Sequence, residues 1–112
     1  MSTLRASVTA GQSGPVIVLS GEADLSTAAQ LSDLITAQLS AGTRNLTLDM
    51  SGLSFMDSMS TRIMVLAART LNERGGGLTL LRPQPAIART LALMGADQMI
   101  TIRREPEATP GP

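Results

Sequence analysis

The spacing of apolar and polar positions along the 112-residue chain changes several times, and each change marks an element. Ala6, Val8 and Ala10 alternate with polar neighbours, which predicts a first strand over Arg5–Thr9. Gly11-Gln12-Ser13-Gly14-Pro15 reads as a turn, because glycine permits unusual φ and proline fixes it. The β-branched run Val16-Ile17-Val18-Leu19 predicts a second strand, and the two together predict an antiparallel hairpin. Gly21-Glu22-Ala23-Asp24-Leu25 then leaves the sheet. Beyond it Ala28, Leu31, Leu34, Ile35 and Leu39 fall on one helical stripe. Thr27 followed three residues later by Gln30 fits a capping box, and Gly42 suits a helix C-terminus.

The centre of the chain, Leu48–Leu66, reads as strand, tight turn and helix. The strand is expected at Leu46–Met50. The turn carries Ser51-Gly52-Leu53-Ser54, then Phe55-Met56-Asp57. A helix starting near Ser58 would bury Ile63, Leu66, Ala67 and Leu71. Gly75-Gly76-Gly77 ends that helix, and Leu78-Thr79-Leu80-Leu81 is another short strand. Pro83 and Pro85 open a last helix with Ile87, Leu91 and Met94 on one face, and Gly95 ends it. Met99-Ile100-Thr101-Ile102 predicts a small edge strand. The alternation of strands and helices gives an α/β class with neighbouring parallel strands. One domain is expected over residues 1–103. The polar, proline-rich residues 104–112 are expected to form a flexible tail.

Composition narrows the chemistry. The chain has no cysteine and no histidine, so thiolate chemistry is out and the commonest general base and metal ligand is missing. Phe55 is the one aromatic residue, which leaves no platform for stacking bases. Net charge is zero but uneven. Residues 1–57 hold two arginines against five acids, and residues 58–112 seven arginines against four. The arginines are scattered, which reads as solvated faces and not as a nucleic-acid footprint. No apolar run is long enough for a membrane span, and Met1–Arg5 lacks a signal-peptide pattern. A cytoplasmic protein without membrane insertion is expected, and no cofactor is implied.

The strand–helix junction at Asp57-Ser58 is the candidate site. Ser58 has two compatible readings. A serine there serves as a helix N-cap. An exposed hydroxyl at a helix start also serves as a phosphoacceptor, and a phosphate would bring about −1.5 to −2 charge beside Asp57. Asp24, Asp49 and Asp57 are the carboxylates near strand ends that could converge on Mg²⁺ or act as acid and base. Without histidine, lysine or cysteine an enzyme reading is poor, and turn or cap roles are the plainer explanation. Gly75-Gly76-Gly77 follows a helix and precedes a strand, the reverse of a dinucleotide fingerprint. Met56, Met59 and Met99 read as core filler, but Met59, in the first exposed turn of the helix, reads equally as an adaptable contact surface.

Three stretches resemble the STAS domain of bacterial anti-sigma factor antagonists. They are Gly21-Glu22-Ala23-Asp24-Leu25, the central Leu48-Asp49-Met50-Ser51-Gly52-Leu53-Ser54-Phe55-Met56-Asp57-Ser58, and Pro85-Ala86-Ile87-Ala88-Arg89-Thr90-Leu91. Each is weak alone; their order and spacing in a chain of this length are fairly specific. The likeness runs from about Leu4 to Ile102.

That resemblance implies a mixed sheet of four to five strands packed against helices on one side. It implies a binding switch and not an enzyme. In such families the unphosphorylated antagonist binds an anti-sigma factor with serine kinase activity. The kinase phosphorylates the serine after the central aspartate, and a serine phosphatase restores it. Ser58 matches that serine, Asp57 the aspartate before it, and Asp24 the acidic residue of the early loop. The partner-binding surface so implied takes in Asp24, Met56, Asp57, Met59, Ser60, Thr61 and Arg62. The chain departs from the family pattern of serine or threonine, glycine and leucine after Ser58, where Met59, Ser60 and Thr61 stand. Two other readings compete. One is a non-switching STAS subunit of a transporter or signalling-scaffold complex, with Ser58 only a cap. The other is a small-molecule or metal-binding domain using the three aspartates.

Overall fold

The computed structural model describes residues 2–105. Its elements are β1 (Leu4–Ala10), β2 (Pro15–Ala23), α1 (Ala28–Ser40), β3 (Asn45–Met56), α2 (Ser58–Glu73), β4 (Gly77–Leu81), α3 (Pro85–Leu93), a 3₁₀ turn (Ala96–Gln98) and β5 (Thr101–Arg103). The expected flexible tail over 104–112 lies outside the described residues from 106 onward.

The five strands stand in sequence order, β1-β2-β3-β4-β5. β1 pairs antiparallel with β2, and the remaining pairs are parallel. This is the mixed sheet of an α/β fold. Ile17, Leu19, Leu46, Leu48, Met50, Leu78 and Leu80 lie on one face and are all but inaccessible. Leu31 and Ile35 of α1, Met64, Ala67, Ala68 and Leu71 of α2, and Ile87 and Leu91 of α3 join them in one core. The intervening strand residues Val16, Val18, Ser20, Thr47, Asp49 and Thr79 are only half-buried. The helices therefore cover one side of the sheet and leave the other open.

Four local expectations are corrected. β3 does not stop at Met50; it runs to Met56 through two register shifts against β2. Each shift sets an extra β3 residue against β2, so the buried positions move from a spacing of two (Leu46, Leu48, Met50) to three (Leu53, Met56). Ser51-Gly52-Leu53-Ser54 is thus bulged strand and not a turn. β1 forms as expected, but its burial does not alternate: only Leu4 is buried, and Ala6, Val8 and Ala10 are exposed, because it is an edge strand beyond the reach of the helices. Thr27 does not form a capping box. Its hydroxyl accepts from Asp24 N–H at 3.0 Å, while Gln30 Nε2 donates to Leu4 O at 2.7 Å. The α3 face is Ile87 and Leu91; Met94 follows the helix and is exposed.

Leu48 sits at the centre of the core with no accessible surface. Leu48→Ala is expected to destabilise the fold by about 2–5 kcal/mol, through lost transfer energy plus a cavity. Val8→Ala on the open edge should cost under about 1 kcal/mol. Urea unfolding of both variants checks the contrast.

Candidate functional site

The site is built by the parallel pairing of β2 with β3. Their last paired residues are Ala23 and Met56, and Asp57 N–H donates to Ala23 O at 3.1 Å. Both chains leave the sheet side by side at that point, so Asp24 and Asp57 come out at the same edge. The carboxyl ends of adjacent parallel strands are where open α/β sheets place their sites.

Asp57, not Ser58, caps α2. Asp57 has extended backbone, and its Oδ1 accepts from Ser60 N–H at 2.9 Å. An ionised cap also complements the positive end of the helix. Ser58 is therefore the first residue inside the helix. Its side chain is exposed, and its hydroxyl has no hydrogen-bond partner among the described residues. Because Asp57 does the capping, the Ser58 hydroxyl is left available.

The expected partner-contact residues divide in two. Asp24 and Asp57 are half-buried at the edge of the site, and Ser58, Met59 and Arg62 are exposed. Met56, Ser60 and Thr61 are corrected: they are buried, at 6%, 0% and 0% exposure, and cannot meet a partner through their side chains. Thr61 Oγ1 donates back to Asp57 O at 3.0 Å. Ser60 Oγ is buried without a hydrogen-bond partner. The buried stripe of α2 is Ser60, Thr61, Met64, Ala67, Ala68 and Leu71. Leu66, expected in the core, is 46% exposed, and Ile63 is partly buried. Two small hydroxyl residues in the stripe hide its true face from a hydrophobicity pattern.

The early loop is braced from within. Asp24 Oδ1 accepts from Ser26 N–H at 2.9 Å and from Ser26 Oγ at 2.7 Å, and Asp24 Oδ2 accepts from Ser2 Oγ. Glu22 N–H donates to Thr3 O at 3.0 Å. That approach passes over Gly21, at φ +96°, where a Cβ would fall on the Thr3 carbonyl. Hydroxyl donors from Ser2 and then Ser26 hold the Asp24 carboxyl below its ordinary pKa, against a smaller desolvation effect. Asp49 stands apart. It lies within β3 on the open face, and its Oδ1 accepts from Ser51 N–H and Oγ. The three aspartates do not converge, and no group of three potential metal-ligating side chains is gathered among the described residues.

Sequence reasoning missed Leu25 and Phe55. They are 75% and 48% exposed, and with Met59 at 45% they set large apolar side chains at the edge that carries Ser58. Their signal was their place, an apolar residue beside each aspartate where the chain leaves the sheet. Exposed apolar groups rimmed by acids mark a contact surface more often than a reactive centre.

The family model described as Mlab, STAS domain, matches residues 6–102, and the chain belongs to the STAS domain family. No curated protein matches it by sequence. Several solved structures share the fold. An anti-sigma factor antagonist from Mycobacterium paratuberculosis superposes with a TM-score of 0.83 at 24% identity, covering 92% of this chain and 87% of that one. The anti-sigma factor antagonist SpoIIAA in its unphosphorylated form gives 0.74 at 23% identity, covering 90% of each chain. The Bacillus cell-fate determinant SpoIIAA in its phosphorylated form gives 0.69 at 23%, covering 92% and 93%. A chain of the stressosome, described as a signal integration and transduction hub, gives 0.60 at 21%, covering 87% and 86%. Among the described residues no helix is long and apolar enough to cross a membrane.

Two outcomes follow from this geometry. Asp57→Ala should cost about 0.5–2 kcal/mol through loss of the cap, and Ser58→Ala should change stability by less than about 0.5 kcal/mol. Ser60→Ala should raise stability by about 1 kcal/mol, because it removes a buried, unsatisfied hydroxyl and keeps the Asp57–Ser60 backbone bond. Denaturant midpoints of the three variants check both. Asp24 should titrate below a free aspartate in an NMR pH series, and Ser2→Ala should move its midpoint up. A lowered folded-state pKa means that its stabilising effect is present above the ordinary carboxylate range and is lost as pH falls through the folded value.

Proposed function

We propose that this protein is an anti-sigma factor antagonist, a non-enzymatic, cytoplasmic binding switch governed by phosphorylation of Ser58. Residues 1–103 form the STAS domain and 104–112 an appended tail. The observation that carries the reading is the exposed Ser58 hydroxyl at the first position of α2, with the capping role filled by Asp57. The hydroxyl is free to meet a kinase, and modifying it leaves the helix cap in place. The likeness in fold to SpoIIAA, solved both with and without phosphate, is consistent with this.

The unphosphorylated edge offers Leu25, Phe55 and Met59 as apolar anchors, with Asp24, Asp57 and Arg62 around them. An anti-sigma factor with serine kinase activity would dock on it, phosphorylate Ser58 and be released, and a serine phosphatase would reset the site. The switch needs no change of fold. A phosphate brings about −1.5 to −2 charge beside Asp57 and Asp24, and it must be desolvated against the apolar anchors. The resulting penalty of a few kcal/mol lowers affinity roughly a hundredfold.

The alternative is a non-switching STAS subunit of a larger transporter or signalling assembly. The departure from the family pattern at Met59, Ser60 and Thr61 favours it, as does the fold likeness to a stressosome chain. Ser60 replaces the glycine expected there, yet its side chain turns into the core and leaves the contact surface to Met59.

Ser58→Ala is expected to hold a kinase-type anti-sigma factor constitutively, and Ser58→Asp to bind it roughly a hundredfold more weakly. Calorimetric titration of both variants decides. Equal affinities would contradict the switch and leave the permanent-subunit reading.

A further inference from the structure

The open face of the sheet carries a second feature that the switch does not use. Strand pairing sets Val16, Thr47, Thr79 and Thr101 in one row across β2 to β5, and Asp49, Leu81 and Arg103 in the next row. The β1–β2 turn, residues 11–14, closes over one end of these rows. With the turn, Val16, Thr47, Thr79, Leu81 and Arg103 of these rows line a hollow of about 320 Å³, at the small end of the roughly 300–1,000 Å³ usual for small-molecule sites.

The hollow is preformed. Gly11 N–H donates to Gly14 O at 2.9 Å, which holds the turn tight. The turn lies so close to the start of β3 that a Cβ on Gly14 would fall on the Asn45 carbonyl. The lining includes the apolar Val16 and Leu81 beside Thr47 and Thr79. Leu81 is 9% exposed, yet it stands outside the core cluster, because it belongs to the other face. Gln12 and Asn45 add polar residues to the lining. Arg103 is the one charged residue in the lining, and its guanidinium has no ion-pair partner among the described residues. Asp49, the acid nearest to it in the row, turns its carboxylate to Ser51.

We propose that this hollow binds a small organic carboxylate with an apolar body, its charge on Arg103 and its body over Val16 and Leu81. A planar guanidinium accepts a carboxylate in bidentate fashion. A lone cation matches a single negative charge better than it matches a phosphate dianion. The site lies on the face opposite the helices and at the N-terminal end of β3, whereas Ser58 follows its C-terminal end. Binding there does not depend on the switch.

Octanoate is the probe, with neutral 1-octanol as its control, each titrated into the full chain by amide NMR. Octanoate is expected to give saturable shifts confined to residues 11–14, Val16, Thr47, Thr79 and Arg103. Arg103→Gln should weaken octanoate about tenfold, as expected for loss of a charge-assisted bond, and leave octanol unchanged. Absence of saturable shifts at millimolar octanoate would overturn the proposal. So would shifts spread over the helices, or equal octanoate affinity in Arg103→Gln.

Discussion

The geometry of the site depends on the junction where β2 and β3 end together. Asp57 is held twice there: its N–H donates to Ala23 O, and its carboxylate receives Ser60 N–H. The first bond ties the end of β3 to the end of β2 and so places Asp57 beside the Asp24 loop. The second starts α2 in a fixed direction and sets Ser58 outward on its first turn. The core reinforces both, since Ala23, Met56, Ser60 and Thr61 are all buried around the junction. An aspartate cap instead of a serine cap bears on the proposed switch. The group that starts the helix and the group available for modification are different residues.

This separation explains how a charged modification could act on binding without a change of fold. The cap is an internal bond of the junction, while Ser58 and the exposed Leu25, Phe55 and Met59 belong to the surface. The Asp24 loop is braced independently by Ser2, Ser26 and Thr27, so the acidic rim is also fixed before any partner arrives. A preformed surface loses little conformational entropy on binding, as the proposed switch requires.

Much of this was legible in the residues. A periodic stripe gave α1, a β-branched run gave β2, and the stretch Leu46–Met50 gave the first half of β3. The three glycines marked the break before β4, and Asp57-Ser58 marked the candidate site. The misses share one cause, a local pattern reset by tertiary contacts. The two bulges in β3 shift its buried positions from a spacing of two to three, so Ser51–Ser54 imitates a turn. Thr27 fits a cap by spacing, but its hydroxyl is engaged by the Asp24 loop. Ser60 and Thr61 read as surface because they carry hydroxyls, yet the helix turns them inward. Ser2 could not be placed at all without the pairing that brings the first strand across Gly21.

The central claim is that Ser58 is the switch. Phosphopeptide mapping of the protein from its native cells, with and without phosphatase treatment, tests it most directly. The account expects phosphate on Ser58 that phosphatase removes. Absence of phosphate on Ser58 under every growth condition would contradict it, and so would phosphate on Ser60, which this fold buries.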